Sequence, residues 1–195
     1  MITYIVFIAI IAFIAYVYCN RSNRSNINGT LVVVDLETTG LNPNKNSILE
    51  VAAQRVHFEN GVMTFGDSFS TIVLLDEGKR VSSKIQQITG IDTKMMREQG
   101  IPRAEAIAKL VQFVGDDDIV GYNVKFDMGF LKAQTNAFDK KETLCMLAAA
   151  RKNLKGLPSY KLVNVAQHLR IDNSGAHRAM ADVMMTAKVL DKLAK

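Results

Sequence analysis

LVVVDLETTGL, residues 31–41, joins an apolar run to two acidic side chains. Its four leading apolar residues, three of them β-branched, predict a buried β-strand. Side chains alternate across a strand, so Asp35 and Glu37 project from the same face. Two neighbouring carboxylates repel each other, and a hard divalent cation such as Mg²⁺ or Mn²⁺ between them relieves the repulsion. A strand whose last acids are solvated explains the motif equally well, and these residues alone leave the two interpretations level.

The composition is that of a globular protein with an excess of positive charge. Of the 195 residues, 48% are hydrophobic and 22% are charged, which excludes a disordered chain. The formal net charge of +5 favours a polyanionic partner but does not identify one. Cys19 and Cys145 lie far apart, so the sequence indicates neither a disulfide framework nor a thiolate metal site.

The N-terminal residues 1–19 carry no charge and are almost wholly Ile, Val, Phe, Ala and Tyr. About 18 helical residues span about 27 Å, close to the hydrocarbon thickness of a bilayer. We therefore expect residues 1–19 to form a single transmembrane anchor, with a buried core helix as the alternative, and polar residues 20–30 to form a linker. Arg21 and Arg24 follow the apolar run and predict a single-pass membrane protein with residues 31–195 in the cytoplasm.

Turn and periodicity signals divide residues 31–195 into strands followed mainly by helices. Strand-like runs at residues 47–58 and 62–74 are joined by Asn60-Gly61, a tight hairpin turn, and a short apolar strand follows at residues 119–122. Apolar spacing of three and four predicts helices at 82–89, 92–99, 103–114, 125–137, 144–153, 160–169 and 179–193. This order predicts an α/β fold in which helices cover both faces of a mixed sheet.

Three further side chains could take part in chemistry. Asp127 lies in the first turn of a predicted helix, where the helix dipole favours an acid. Asp182 lies within an apolar-rich helix, where a carboxylate needs a counter-charge. His177 precedes that helix in a loop next to Gly175. Each has an ordinary structural explanation, but together these explanations must account for four acids and one histidine in this order and spacing.

The three motifs resemble those of the DEDDh exonucleases, the family that includes bacterial polymerase proofreading domains and RNase T. The D-x-E motif with its TTGL tail is at residues 35–41, the second motif at 123–127, and the H-x4-D motif at 177–182. The resemblance covers residues 31–193. It implies an RNase H-like mixed five-stranded sheet flanked by helices.

The resemblance also implies a reaction, a cofactor and site residues. The reaction would be hydrolysis of single-stranded or frayed 3′ ends of DNA or RNA to nucleoside 5′-monophosphates by a two-metal-ion mechanism. Two Mg²⁺ or Mn²⁺ ions would be held by the four acids, and the histidine would be the general base. The implied catalytic set is His177, Asp35, Glu37, Asp127 and Asp182, and the implied substrate contacts are Thr38, Leu41 and Asn123.

Several alternatives stay open from the sequence. A non-catalytic nucleic-acid-binding module could keep this fold, although none of the five motif residues is lost. An endonuclease on the same scaffold would release fragments rather than mononucleotides. The RNase T-like members of the family work as dimers, so a homodimer is also open. The chain stops at Lys195, just after the last predicted helix, so no polymerase-binding extension is apparent and the sequence does not indicate polymerase association.

Overall fold

The structure is a computed structural model that describes residues 28–194. The predicted anchor at residues 1–19 and most of the predicted linker at residues 20–30 lie outside the described residues. Within residues 28–194, no helix combines the length and the apolar character needed to cross a bilayer.

A mixed five-stranded sheet forms the centre of the described domain. Its strands lie in the order β3-β2-β1-β4-β5; the β1–β2 and β2–β3 pairs are antiparallel, whereas β1–β4 and β4–β5 are parallel. This confirms the predicted RNase H-like sheet. The strands are β1 (Gly29–Thr38), β2 (Ile48–Glu59), β3 (Val62–Ile72), β4 (Asp118–Gly121) and β5 (Thr143–Cys145).

The helices flank this sheet largely where the apolar spacing predicts them, with two corrections. The helix predicted at 125–137 ends at Lys132 and is followed by a 3-10 turn, Asn136–Phe138. The helix predicted from residue 144 begins at Met146, because Thr143–Cys145 pairs with β4 as a strand too short to show alternation. The helices are α1 (Ser83–Thr89), α2 (Thr93–Gln99), α3 (Arg103–Val114), α4 (Val124–Lys132), α5 (Met146–Asn153), α6 (Leu162–His168) and α7 (Ala179–Ala194).

The two faces of β1 contribute to two separate apolar cores. Leu31 and Val33 pack with residues of α5, α6 and α7. Val32, Val34 and Leu36 pack with residues of α3 and α4 on the opposite face. Because side chains alternate along a strand, the two acids at the end of β1 share the face that α7 covers. The fold therefore turns both acids towards the helix that carries the third motif.

Candidate active site

Three carboxylates converge at the C-terminal end of β1. Asp35 and Glu37 come from the strand, and Asp182 comes from the first turn of α7. One carboxylate oxygen from each of the three lies within 4.8 Å of the other two, and all three residues are half-buried. The β1–β2 register shifts directly after Glu37, and such a bulge re-aims side chains locally. The first and third sequence motifs therefore form one cluster, which we call the acid cluster.

Asp127 lies beside the acid cluster, held by the backbone of the first motif. It occupies the first turn of α4, and only 4% of its surface is exposed. Its Oδ1 atom accepts a hydrogen bond of 3.1 Å from the backbone N–H of Leu36, the residue between the two strand acids. Its negative charge also raises the pKa of Asp35. The second motif therefore adds a fourth acid to the electrostatics of the site.

Burial is the largest cause of raised pKa values throughout this group of acids. It raises the pKa of Glu37 to about 8 and that of Asp127 to about 7. The pKa values of Asp35 and Asp182 are also raised, first by burial and then by neighbouring carboxylates. The Arg178 guanidinium opposes this effect at Glu37, and hydrogen bonds from backbone N–H groups oppose it at Asp127.

The donor set fits hard divalent cations. All ligand atoms in the acid cluster are carboxylate oxygens, which suit Mg²⁺ and Mn²⁺. Full ionisation of the group places several negative charges in a partly desolvated space, and a bound cation offsets the resulting repulsion. The acids therefore have both the chemistry and the electrostatic need of a metal site.

His177 lies next to the acid cluster in the loop that precedes α7. Its backbone has φ 69°, an uncommon left-handed conformation for a residue with a side chain. Its backbone N–H donates to Asp182 Oδ1 at 3.3 Å, and the residue is exposed. The structure thus joins His177 to the acid cluster through the main chain and leaves its imidazole at the surface.

A cavity of about 660 Å³ opens beside His177 and Asp182, a volume within the range of small-molecule sites. Its wall is fixed by two tyrosine hydroxyls: Tyr122 donates to the Tyr160 carbonyl at 2.6 Å, and Tyr160 donates to the Leu154 carbonyl at 2.7 Å. Two exposed cations, Arg151 and Lys161, also line the cavity. One member of the acid cluster, Asp182, therefore shares this space with His177 and two basic side chains.

The predicted substrate contacts occupy three different environments. Asn123 is exposed and lines the cavity. The Thr38 hydroxyl donates to the Gly40 carbonyl at 2.8 Å, so it stabilises the turn after β1. Leu41 is 84% exposed and offers a bare apolar surface beyond that turn. Only Asn123 of the three lines the same cavity as His177 and Asp182.

The sequence analysis missed a fifth acid, Glu50, and its partner Arg178. Glu50 lies opposite Glu37 in the β1–β2 register and is 2% exposed. Its charge raises the pKa values of Asp35 and Glu37. A single glutamate within the apolar run ILEVAA was the available signal, but its partner is 128 residues away.

Comparison with known proteins identifies relatives along most of the chain. Residues 32–190 match the family RNase_T, described as Exonuclease. The DNA polymerase III subunit epsilon of Aquifex aeolicus (strain VF5) is 34% identical over 171 residues, covering 86% of this chain and 81% of that protein. The 3′-5′ exonuclease DinG of Bacillus subtilis (strain 168) is 31% identical over 172 residues, covering 83% of this chain but 18% of that protein.

A solved structure shares the fold. The crystal structure of E. coli exonuclease I in complex with a dA16 oligonucleotide aligns with a TM-score of 0.71 and 24% identity, covering 85% of this chain and 40% of that chain. The described domain therefore shares the fold of one part of that longer chain. Together these findings show that the chain belongs to the exonuclease family RNase_T, and they confirm the predicted DEDDh-type resemblance and the predicted enzyme class, a 3′-5′ exonuclease.

Proposed function

We propose that this protein shortens single-stranded or frayed nucleic-acid strands from the 3′ end and releases nucleoside 5′-monophosphates. The observation that carries this proposal is the convergence of Asp35, Glu37 and Asp182 beside a cavity that His177 also lines. The dA16 oligonucleotide in the E. coli exonuclease I structure supports single-stranded DNA as the first substrate to test. The same chemistry acts on RNA, and substrate contacts decide between the two.

The acids would hold two divalent cations. Asp35, Glu37 and Asp182 supply the oxygen atoms of the acid cluster, and Asp127 is the fourth ligand in this proposal. When bound, Mg²⁺ or Mn²⁺ supplies neutralising charge to the phosphodiester and lowers the pKa of water. The chain's own contribution is to hold four acids on β1, α4 and α7, elements fixed by the sheet and its two cores.

His177 would act as the general base. Its imidazole would take a proton from the water that attacks the terminal phosphorus. As the new phosphorus–oxygen bond forms, the bond to the 3′ oxygen of the preceding nucleotide breaks, and that oxygen takes a proton from solvent. The unperturbed pKa of histidine, about 6.5, suits a base that works near neutral pH. The proposal is supported by the position of His177, which lines the same cavity as Asp182 and is not one of the clustered carboxylates.

Arg151 and Lys161 would bind the strand that enters the cavity. Both are exposed cations on the cavity wall, and their positive charge is opposite in sign to that of the acids. Contacts between cations and backbone phosphates hold a single strand regardless of its base sequence. We therefore expect little base preference and a marked loss of affinity as salt concentration rises.

Digestion of a 5′-labelled single-stranded oligonucleotide tests the function directly. With Mg²⁺ or Mn²⁺ we expect stepwise shortening from the 3′ end and release of mononucleotides, and with EDTA we expect no turnover. Asp35→Asn should abolish turnover, whereas Glu98→Gln, at a surface ion pair with Lys94, should leave it unchanged. An inactive wild-type protein, or full activity in Asp35→Asn, would contradict the proposal. Cleavage of a circular single strand, which has no end, would instead identify an endonuclease.

We also propose the membrane attachment predicted by residues 1–19, with residues 20–30 as linker and the catalytic domain in the cytoplasm. The support is the uncharged apolar run and the two arginines that follow it, Arg21 and Arg24. The full chain should sediment with membranes and require detergent for release, whereas a chain beginning at Asn28 should stay in the supernatant. Recovery of the full chain in the supernatant without detergent would overturn the attachment.

The residues of this chain do not by themselves indicate a polymerase partner. The relative from Aquifex aeolicus is named as a DNA polymerase subunit, so copurification from the native host is the relevant test. A stoichiometric polymerase band that copurifies with the full chain would identify such a partner.

A further inference from the structure

Glu50 is a buried acid whose side-chain hydrogen bonds within residues 28–194 run to one short segment. Both its oxygens accept from Arg178: Nε donates to Oε2 at 3.1 Å, and Nη2 donates to Oε1 at 2.9 Å. Oε2 also accepts from the backbone N–H of Ala179 at 3.0 Å. This two-pronged arrangement fixes direction as well as distance, which a single hydrogen bond does not. A residue of β2 thereby holds residues 178–179.

Residues 178–179 form the junction between the His177 loop and α7. His177 immediately precedes Arg178, and Ala179 begins the helix that carries Asp182. On the N-terminal side the loop is largely exposed; on the C-terminal side α7 is packed into a core. The strand that carries Glu50 is paired on both sides, with β1 and with β3. The Glu50–Arg178 pair therefore ties the edge of an exposed loop to the rigid centre of the sheet.

The backbone at this junction needs such a restraint. The left-handed φ of His177 is sparsely populated for a non-glycine residue and persists only where the surroundings hold it. The hydrogen bond from the His177 backbone N–H to Asp182 Oδ1 is long, at 3.3 Å. The hydrogen bonds that Glu50 accepts from Arg178 and Ala179, between 2.9 and 3.1 Å, are shorter. Loss of the pair would release the conformation that orients His177.

We propose that Glu50 and Arg178 are positioning residues that hold His177 and Asp182 in register with Asp35 and Glu37. The inference rests on the proposed function for its effect on turnover, but its structural part stands independently. Neither residue needs to touch the substrate for this role. A displacement of about 1 Å in a reacting group reduces the rate by about a hundredfold, so a small loosening of the junction has a large consequence for turnover.

Trypsin gives a test that does not depend on activity, because Arg178 is itself a cleavage site. In the wild-type protein the Arg178 side chain is engaged by Glu50, and the bond after it should resist cleavage. In Glu50→Gln we expect cleavage after Arg178 to be at least about tenfold faster, with cleavage after exposed Arg80 as the internal reference. Glu98→Gln is the matched control and should behave as wild type. Unchanged cleavage after Arg178 in folded Glu50→Gln would overturn the proposal.

Kinetics test the consequence for turnover. Glu50→Gln and Arg178→Met should each lower kcat by roughly tenfold to a hundredfold while KM for the oligonucleotide changes by less than about threefold. In the double variant kcat should fall no further than in the more impaired single variant, because both substitutions remove the same Glu50–Arg178 contact. If Glu50→Gln does not fold, Arg178→Lys carries the test, because the Arg178 side chain is 42% exposed and lysine keeps a positive charge beside Glu50 but cannot make the two-pronged contact.

The outcomes separate this inference from the proposed function. Wild-type kcat in folded variants, or additive losses in the double variant, would overturn the positioning role. An inactive wild-type protein would overturn the proposed function alone, and the trypsin result would then decide the structural part. A fall in kcat that only follows the fraction of unfolded protein, measured by circular dichroism, would identify a stability role and overturn positioning.

Discussion

Replacement of Asp127 by asparagine should stabilise the metal-free protein while it abolishes turnover. The pKa of Asp127 is raised from 3.8 to about 7, chiefly by burial. A raised acid pKa means that the folded protein holds this proton more tightly than the unfolded chain does. Stability is therefore lost as pH rises from about 4 to about 7. Asparagine has no charge to bury, and its side-chain oxygen can still accept from the Leu36 N–H.

The size of this effect follows from the same pKa. The difference between 3.8 and about 7 corresponds to about 4 kcal/mol, at about 1.36 kcal/mol for each tenfold change in proton affinity. Relaxation and water entry reduce such penalties, so we expect a gain of about 2–4 kcal/mol at pH 8. For a domain of this size the melting temperature should rise by roughly 5–15 °C. Near pH 4 the folded acid is protonated and the unfolded acid is about half ionised, so the gain should fall below about 1 kcal/mol.

Thermal and urea unfolding of the full chain in detergent with EDTA, at pH 4 and pH 8, measure this gain. Asp76→Asn is the matched control with the opposite sign. The hydrogen bond from Lys79 holds the pKa of Asp76 below its usual value, so loss of that charge should slightly destabilise the protein at pH 8. Equal or lower stability of Asp127→Asn at pH 8, or the same gain at both pH values, would refute the electrostatic reasoning.

Three other substitutions separate chemistry from stability. His177→Ala should lower kcat by about 10²–10⁴-fold but keep the rise in melting temperature that Mn²⁺ gives the wild type, because the acid cluster stays complete; full activity, or loss of the Mn²⁺ effect, would contradict its role as base. Arg55→Ala should cost about 1–3 kcal/mol of unfolding free energy with kcat unchanged, because Arg55 pairs with Asp117, donates to the Phe113 carbonyl and lies 5.1 Å from the Phe113 ring centroid. Lys109→Ala, at an exposed ion pair, is its control, and equal urea midpoints for the two variants would show that the partly buried contacts of Arg55 add no stability. Leu110→Ala should cost about 2–5 kcal/mol in the same urea assay because Leu110 is fully buried, and a loss below about 1 kcal/mol would show that the core relaxes around it.

Local pattern was sufficient for much of this fold. The β-branched run of β1 and the alternation of Asp35 and Glu37 depend on neighbours in sequence, and the structure places both acids in the acid cluster as expected. The helix at Arg103–Val114 was also predicted with its observed bounds, because its apolar spacing is regular. Features set by a strand's own residues or a helix's own period can therefore be predicted from one sequence.

Features set by distant pairing could not be predicted. The strand Thr143–Cys145 exists because it pairs with β4, and three residues carry no readable alternation. The sequence around Glu50 is that of an ordinary strand, because its partner Arg178 comes from the far end of the chain. The bond from Leu36 N–H to Asp127 likewise joins two motifs whose spacing does not report contact. Tertiary pairing, rather than local propensity, decides each of these positions.

Anomalous diffraction from crystals soaked in Mn²⁺ is the direct test of whether the acid cluster binds divalent cations. We expect an anomalous peak between the carboxylates of Asp35, Glu37 and Asp182. The peak should be absent from the Asp35→Asn protein. Ordered Mn²⁺ elsewhere on the protein, with no peak among these three side chains, would contradict metal binding by the acid cluster.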